Sequence, residues 1–243
     1  MRVMLIVSYD GSNYCGLQKQ KNGVSIQQVL ESAIEKVTGK VASVTASGRT
    51  DAGVHAEGQV FHFDTESSIP ADRFYKAINA FLPNDIKALT SKEVEKDFNA
   101  RKSAKKKTYA YSFYYSEVEL PLLDRYSVRI DSAPNFDKMG KASKLFIGEH
   151  DFKAFSASGS SVKSTVRKIY SIDIKKEEKG FRIFITGGGF LYNMVRIISG
   201  VLLDVGYGKK SVEDILNAFN TGKRELLGKT LPAKGLTLIE VEY

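Results

Sequence analysis

A carboxylate and a guanidinium lie two residues apart in a glycine-containing segment, at Asp51 and Arg49. The segment Ser47–Ala56 joins two predicted strands, Val41–Ala46 and Gln59–Phe63, and loops carried by sheets are frequent sites of catalytic residues. An ionised carboxylate beside a cation is suited to nucleophilic or general-base chemistry on a polyanion. The alternative, which composition alone favours, is a structural turn aspartate that accepts backbone hydrogen bonds.

A second candidate is Arg196, which lies in the apolar segment Phe190–Val205, where the spacing predicts a helix. The same spacing places Arg196 on a narrow polar stripe with three other residues, Tyr192, Ser199 and Gly200. A buried arginine without a partner is costly, so we expect either a nearby carboxylate or an arginine that reaches water. No pattern in the sequence identifies that carboxylate.

Basic residues exceed acidic ones, with 36 Lys and Arg against 28 Asp and Glu, which gives a formal net charge of +8. Net charge alone is weak evidence for a nucleic-acid partner, but the distribution is more informative. A basic cluster directly precedes an aromatic segment, Tyr109–Tyr115; the cluster consists of Arg101, Lys102, Lys105, Lys106 and Lys107. Phosphate contact and base stacking require this combination, while a solvated charged face is the alternative.

The aromatic segment itself predicts a strand with two kinds of ring. Side chains alternate along a strand, so Tyr109 and Phe113 share one face. Phe113 is expected in the core, as most aromatic residues of a strand are. Tyr109 lies at the basic end, where its ring is a candidate for stacking on an extruded base.

Patterns that would indicate a metal or nucleotide cofactor are incomplete. His55-Ala56-Glu57 fits half of a zinc deaminase motif, but that site needs two cysteines and the chain has only Cys15. Gly187-Gly188-Gly189 lacks the third glycine of a dinucleotide-binding fingerprint. His55, His62 and Asp64 leave a metal-dependent hydrolase open as an alternative, although structural histidines are favoured.

The 243 residues are enough to bury a core without disulfides, and the single Cys15 excludes an intrachain disulfide. Cysteine usage favours a reducing, cytoplasmic environment. No apolar run approaches the roughly 20 residues of a membrane span, so we expect no membrane association.

The order of elements predicts an α+β fold with two similar halves, each a largely antiparallel sheet flanked by helices. The halves are residues 1–104, which carry the Asp51 loop, and residues 105–243, which carry the aromatic strand and the Arg196 helix. Ser25 and Gly39 mark the two ends of a helix in the first half.

Taken together, these segments resemble the tRNA pseudouridine synthase A family along nearly the whole chain. The similar blocks, in order, are Tyr9-Asp10-Gly11 with Tyr14, Gly16 and Gln18; Ser47–Val60; Phe98-Asn99-Ala100-Arg101 with Ala104 and Tyr109; Gly148–Phe152; Thr165-Val166-Arg167; Phe190–Arg196; and Pro232–Leu238. Several blocks in the same order are far more specific than any one of them.

The resemblance implies a role for each candidate residue. Asp51 is then the catalytic aspartate, Arg196 pairs with it, Tyr109 stacks on the target uracil, and Arg49 fills the space left by the flipped nucleotide. Phosphate contacts are expected from the basic cluster, chiefly Arg101, Lys105 and Lys107.

The resemblance also implies the reaction, the isomerisation of uridine to pseudouridine in tRNA at positions 38, 39 and 40 of the anticodon stem-loop. It implies a homodimer, an active-site cleft between the two halves, and no cofactor or metal. Two residues depart from the family pattern: Leu17 stands where tryptophan is usual, and Gly188 where asparagine is usual. A noncatalytic RNA-binding module is the alternative that shares the charge and the aromatic strand.

Overall fold

The computed structural model of the protein describes residues 1–21, 23–157, 159 and 162–243. Its strands are β1 Arg2–Tyr9, β2 Thr45–Ala46, β3 His55–Asp64, β4 Ile86–Val94, β5 Lys106–Tyr115, β6 Val128–Ile130, β7 Gly148–Asp151, β8 Val166–Glu177, β9 Gly180–Gly187 and β10 Leu236–Glu242. Its α-helices are α1 Ile26–Thr38, α2 Phe74–Asn79, α3 Pro121–Asp124, α4 Phe136–Ser143, α5 Met194–Gly206 and α6 Val212–Thr221. The fold class is α+β, with mostly antiparallel strands flanked by helices.

The first of two units contains Met1–Lys105 and Thr237–Tyr243. Its strands lie in the order β4-β1-β3-β10, with β2 paired to β3. All these pairs are antiparallel except β3 with β10, which is parallel. Val3, Leu5 and Val7 alternate along β1 and are fully buried, as the period of a strand requires.

Helix α1 is defined at both ends by local chemistry. The Ser25 side chain accepts a hydrogen bond from the Gln28 N–H at 3.2 Å, and Gly39 ends the helix in the left-handed conformation, with φ 69°. The face buried by the helix includes Leu30 and Ile34. The predicted helix is therefore confirmed.

The second unit, Lys106–Leu236, contains a sheet with the strand order β5-β9-β8-β7, and β6 pairs with β5. Helices α4 and α5 pack on one face of this sheet. On that face Phe113 stacks on Phe181 at 4.7 Å between ring centroids, and Phe136 of α4 meets Phe181 edge-on at 5.2 Å. Phe113 is a core residue, as predicted.

The structure differs from the sequence-based division at the C-terminus. The sequence predicts residues 105–243 in one half, but Lys105 and Thr237–Tyr243 group with the first unit. The reason is strand pairing, because Thr237 and Leu238 of β10 pair in parallel with His55 and Ala56 of β3.

Two predicted elements begin later than expected. The strand expected at Val41–Ala46 is limited to Thr45–Ala46, because the Val44 N–H is bonded to the carboxylate of Glu31 at 2.9 Å. The helix expected from Phe190 begins at Met194, after Asn193 takes a left-handed conformation with φ 60°.

No helix in the described part of the chain has both the length and the apolar character needed to cross a membrane.

Candidate active site

Asp51 is half-buried on the loop between β2 and β3, and the strand pair fixes both ends of that loop. The Val54 N–H donates to the Asp51 carbonyl at 3.1 Å and closes the turn that leads into β3. Arg49, two residues earlier, is exposed. The loop therefore has a defined backbone and carries a half-buried aspartate and an exposed arginine.

The N-terminal segment holds the residue before Asp51 from two directions. The hydroxyl of Tyr9 lies 2.7 Å from the hydroxyl of Thr50, and the Leu17 N–H donates to the Thr50 carbonyl at 3.0 Å. Burial raises the pKa of Tyr9 to about 12, so its hydroxyl stays protonated. Gly16, with φ 105°, packs so closely that a Cβ there would lie 3.0 Å from the Thr50 carbonyl oxygen.

A buried pair of polar side chains holds the other end of the loop. The Ser47 hydroxyl donates to the side-chain oxygen of Gln59 at 2.5 Å, and the amide of Gln59 donates to the Gly48 carbonyl at 3.1 Å. Both side chains are fully buried. Sequence reasoning missed Tyr9 and Gln59, although a glutamine at an inward position of a strand is itself a signal of a buried hydrogen-bond network.

The histidines and aspartate of the hydrolase alternative have structural partners instead. The Nδ1 atom of His55 accepts the Gly11 N–H at 3.1 Å, and Nδ1 of His62 accepts the Ala100 N–H at 3.1 Å. Asp64 forms two hydrogen bonds of 2.8 Å with the guanidinium of Arg2.

The metal-dependent hydrolase was an alternative because His55, His62 and Asp64 could be metal ligands. Their structural hydrogen bonds account for these residues without a metal. Within the described residues, no three or more His, Cys, Asp and Glu side chains are grouped so that they could hold a metal ion.

Tyr109 lies on β5 opposite Ile185 of β9 and is only 8% exposed. Its ring meets the ring of Phe190 edge-on, at 5.3 Å between centroids. Two residues further, the hydroxyl of buried Tyr111 donates to the Pro232 carbonyl at 2.6 Å. The segment after α6 is thereby tied to the aromatic strand.

Arg196 occupies the first turn of α5, where its guanidinium has two fixed acceptors. Its Nε donates to the Leu231 carbonyl at 2.7 Å, and its Nη1 donates to the side-chain oxygen of Asn193 at 2.6 Å. The predicted polar stripe is wrong, because Tyr192 precedes the helix and Ser199 and Gly200 are buried.

The buried face of α5 is closed by the segment before β10. A Cβ on Gly200 would lie 3.3 Å from both the Lys229 carbonyl oxygen and the side chain of Leu231. Because Gly200 has no side chain, the segment that contains Leu231 can approach α5 closely, and the Leu231 carbonyl can accept the hydrogen bond from Arg196.

The residues expected to contact phosphate are distributed between exposed and partly buried positions. Arg101 and Lys105 are exposed, and Lys107 is half-buried on β5 opposite Gly187. The side-chain oxygen of Asn99 accepts the N–H groups of Arg101 and Lys102, both at 3.0 Å, which fixes the backbone that carries Arg101.

The two departures from the family pattern have different surroundings. Leu17 is 3% exposed, and its backbone groups bind Thr50 and Gln27, so its side chain serves packing. Gly188 is exposed, and its N–H donates to the Lys168 carbonyl at 3.0 Å.

Comparison with known proteins first defines the class. The family model described as tRNA pseudouridine synthase matches residues 5–101 and 142–243. The protein named tRNA pseudouridine synthase A of Acetivibrio thermocellus is 46% identical over 241 residues, covering 99% of each chain. The protein of the same name from Clostridium botulinum strain Eklund 17B is 45% identical, again over 99% of each chain.

A chain in a crystal structure of a Cbf5-Nop10-Gar1 complex is also similar, at 16% identity and a TM-score of 0.34, covering 97% of this chain and 47% of that chain. The family model and the sequence relatives show the family without this structural similarity. The chain belongs to the tRNA pseudouridine synthase family, and it is an isomerase that converts uridine to pseudouridine in tRNA.

Proposed function

We propose that the reaction takes place at positions 38, 39 and 40 of the anticodon stem-loop, with Asp51 as the catalytic carboxylate. The observation that carries this proposal is the support of the Asp51 loop, which β3, Tyr9 and Leu17 hold by hydrogen bonds. A catalytic group must keep its position while the substrate moves, and loops on rigid elements meet that need.

The chemistry requires one such group. The bond between ribose C1′ and uracil N1 breaks, the base rotates, and a bond from C1′ to C5 forms. The C5 hydrogen leaves as a proton and N1 takes up a proton, so the product is an isomer of the substrate. No electrons are gained or lost overall, so a single carboxylate that traps or stabilises an electrophilic intermediate is sufficient. We infer from the family resemblance that Arg196 pairs with Asp51 and favours its ionised form, as a cation does beside a carboxylate.

The target uridine must leave its stack before it reacts, which costs a few kcal/mol. Insertion of Arg49, which is exposed, and stacking on Tyr109 offset part of that cost. Because Tyr109 is only 8% exposed, stacking requires the side chains around its ring to move when tRNA binds.

Contacts with the phosphate backbone supply the affinity for tRNA that the contacts with the target uridine do not. Arg101, Lys105 and Lys107 contact phosphates, so binding weakens as salt rises. The protein acts in the cytoplasm as a homodimer, without a cofactor or metal. Sedimentation velocity, which measures its mass in solution, tests the homodimer.

The decisive experiment compares Asp51→Asn with the unchanged protein on an unmodified tRNA transcript tritiated at uracil C5. Asparagine keeps the size of the side chain and removes its charge, so tritium release is expected to fall by about 1,000-fold or more. Binding of fluorescein-labelled tRNA is expected to stay close to that of the unchanged protein. Chromatography of nucleosides from fragments of the anticodon arm identifies the modified positions.

Asp72→Asn is the matched control, since Asp72 is an exposed aspartate of the same unit, and it should keep full turnover. Retained turnover in Asp51→Asn would remove Asp51 from its role. Turnover lost on addition of EDTA would contradict the metal-free reaction.

A further inference from the structure

One segment of the family resemblance, Thr165-Val166-Arg167, contributes no residue to the proposed site. Its arginine lies near the start of β8, where the register with β7 pairs it with His150. Successive side chains of a strand face opposite sides, and here Val166 and Lys168 are exposed while Arg167 is half-buried. Arg167 therefore faces the other side of the sheet from the lysine that follows it.

Strand pairing places Arg167 on the same side of the sheet as Tyr109. Ile169 faces as Arg167 does and pairs with Gly187 of β9. Ile185 faces as Gly187 does and pairs with Tyr109 of β5. Both isoleucines are fully buried, as the helix-covered side of the sheet requires. Two strand spacings and four residues along the strand separate Arg167 from Tyr109, so their Cα atoms are about 17 Å apart, a distance that two long side chains with one nucleotide between them can span.

The ring of Phe190 lies on the same side of the sheet, between Tyr109 and Arg167. It meets the Tyr109 ring edge-on at 5.3 Å between centroids. A Cβ on Gly187 would be 3.0 Å from the Phe190 ring, so this ring rests on the backbone of the strand between the other two residues. An aromatic ring, an apolar surface and a cation thus follow one another, in the order that base, ribose and phosphate take in a nucleotide.

The guanidinium of Arg167 is held by its own loop on one nitrogen. Its Nη1 donates to the Ser164 carbonyl at 3.0 Å and to the Val166 carbonyl at 2.6 Å. The opposite edge of the guanidinium, formed by Nε and Nη2, has the geometry that binds two oxygens of an anion. Burial lowers the pKa of Arg167 from its usual 12.5, and among the described residues no carboxylate acts to raise it again.

The strand residues around this position carry positive charge only. Those that face the helix-covered side at this end of the sheet are Lys107 and Tyr109 of β5, Ile185 and Gly187 of β9, Arg167 and Ile169 of β8, and Gly148 and His150 of β7. They include two cations, Lys107 and Arg167, and neither aspartate nor glutamate. The carboxylates of the β7 edge, Glu149 and Asp151, face the opposite side with Lys168.

We propose that Arg167 binds a phosphate next to the target uridine, with the uracil on Tyr109 and the ribose over Phe190. A phosphate supplies the negative charge that the two backbone carbonyls lack, and its oxygens match the fork of a guanidinium. The proposal rests on the proposed function in one respect, the position of the uracil on Tyr109, and it does not depend on the role of Asp51.

The test measures the dissociation constant of fluorescein-labelled, unmodified tRNA by anisotropy at several salt concentrations. Arg167→Gln is expected to raise the Kd about tenfold, the effect of one lost charge-assisted contact, and to lower the slope of log Kd against log salt by about one. Lys168→Gln is the matched control, because it removes the same charge from the next residue on the opposite side of the strand. It should leave both the Kd and the slope unchanged.

A second variant separates phosphate binding from a role of Arg167 in bracing its own loop. Arg167→Lys keeps the charge and loses the fork, so it should keep the salt slope while its Kd rises by a smaller factor, about threefold. If Arg167 only braced the loop, both substitutions would lower the melting temperature and raise the Kd equally, with the slope unchanged. That result would overturn the proposal.

An RNA hairpin with the sequence of the anticodon stem-loop, used in place of tRNA, places the contact. Arg167→Gln should lose the same factor in affinity for the hairpin as for tRNA. A loss confined to whole tRNA would overturn the proposal, as would an unchanged Kd for Arg167→Gln or an equal fall in salt slope for Lys168→Gln. Failure of the proposed function is a separate result, because the unchanged protein would then form no pseudouridine in the hairpin, or Asp51→Asn would keep its turnover.

Discussion

Arg196 shows how a charged side chain is oriented before substrate is bound. The plane of its guanidinium is set by two acceptors, the Leu231 carbonyl at 2.7 Å and the Asn193 side chain at 2.6 Å. Asn193 reaches this position because its backbone is left-handed, a conformation that asparagine tolerates better than most residues. A lysine would keep the charge and lose the fork that binds both acceptors.

Arg196→Lys is therefore expected to lower turnover more than tRNA binding. Hydrogen bonds to charged groups contribute about 1.5–3 kcal/mol each, so loss of the fixed orientation should reduce the single-turnover rate by about 10- to 150-fold. Tritium release at saturating tRNA measures the rate, and anisotropy measures the affinity.

Arg129→Lys is the control for this variant. Arg129 lies on β6 of the same unit, where it donates to the Ser116 carbonyl at 2.8 Å, and its replacement should leave the rate unchanged. If Arg196→Lys reacted at the normal rate, orientation of the guanidinium would have no part in the reaction.

At the scale of elements, the sequence predicts the ends of helices and strands best where residues close in sequence determine them. Helix α1 is readable because Ser25 and Gly39 supply its two ends. The start of α5 is not, because the left-handed backbone of Asn193 interrupts an apolar pattern that would otherwise continue. The short β2 also depends on a distant partner, since Glu31 takes the N–H of Val44.

The candidate site likewise contains features that the sequence predicts and features that it does not. The turn composition around Asp51 and Arg49 identifies the loop as a candidate, and its position between β2 and β3 is confirmed. The hydrogen bond between Tyr9 and Thr50 joins residues 41 positions apart, so no local pattern could reveal it. The supports of a site are therefore harder to predict than the site residues themselves.

The close approach of Gly16 to the Asp51 loop makes a prediction for this element. In Gly16→Ala the positive φ of 105° strains the backbone, and the new Cβ meets the Thr50 carbonyl oxygen at 3.0 Å. We expect the free energy of unfolding to fall by about 1–3 kcal/mol, and turnover to fall because the Asp51 loop moves. Urea unfolding and tritium release measure the two effects.

Gly39→Ala separates the effect of backbone strain at a positive φ from the effect of a close contact with the new Cβ. Gly39 also has a positive φ, 69°, but a Cβ there meets nothing within 4 Å. This variant should lose about 1 kcal/mol of stability and keep full turnover. Normal turnover in both variants would mean that the packing of Gly16 does not position Asp51.

At the scale of the whole molecule, one histidine links stability to pH. His62 on β3 accepts the Ala100 N–H at 3.1 Å, while the hydroxyl of Tyr243 donates to the Ala100 carbonyl at 2.8 Å. Arg2 of β1 donates to the Phe98 carbonyl at 2.8 Å. The loop that carries Arg101 is thus hydrogen-bonded to β1, to β3 and to the C-terminal Tyr243. The bond to β3 requires a neutral imidazole.

Burial, and then the charge of Arg2, lower the pKa of His62 from its usual 6.5, while Asp64 opposes them. The unfolded chain then takes up a proton near pH 6.5 and the folded protein only at a lower pH, so stability is complete above 6.5 and falls as the pH drops below it. Asp64, whose pKa the hydrogen bond from Arg2 lowers from 3.8, stays ionised over this range.

His62→Gln keeps a side-chain acceptor for the Ala100 N–H but cannot titrate, so its free energy of unfolding should fall less between about pH 7.5 and pH 5.5 than that of the unchanged protein. Urea unfolding at each pH measures the difference. His150→Gln, which removes a histidine from the second unit, should keep the original pH dependence. Parallel curves for His62→Gln and the unchanged protein would show that protonation of His62 does not limit stability in acid.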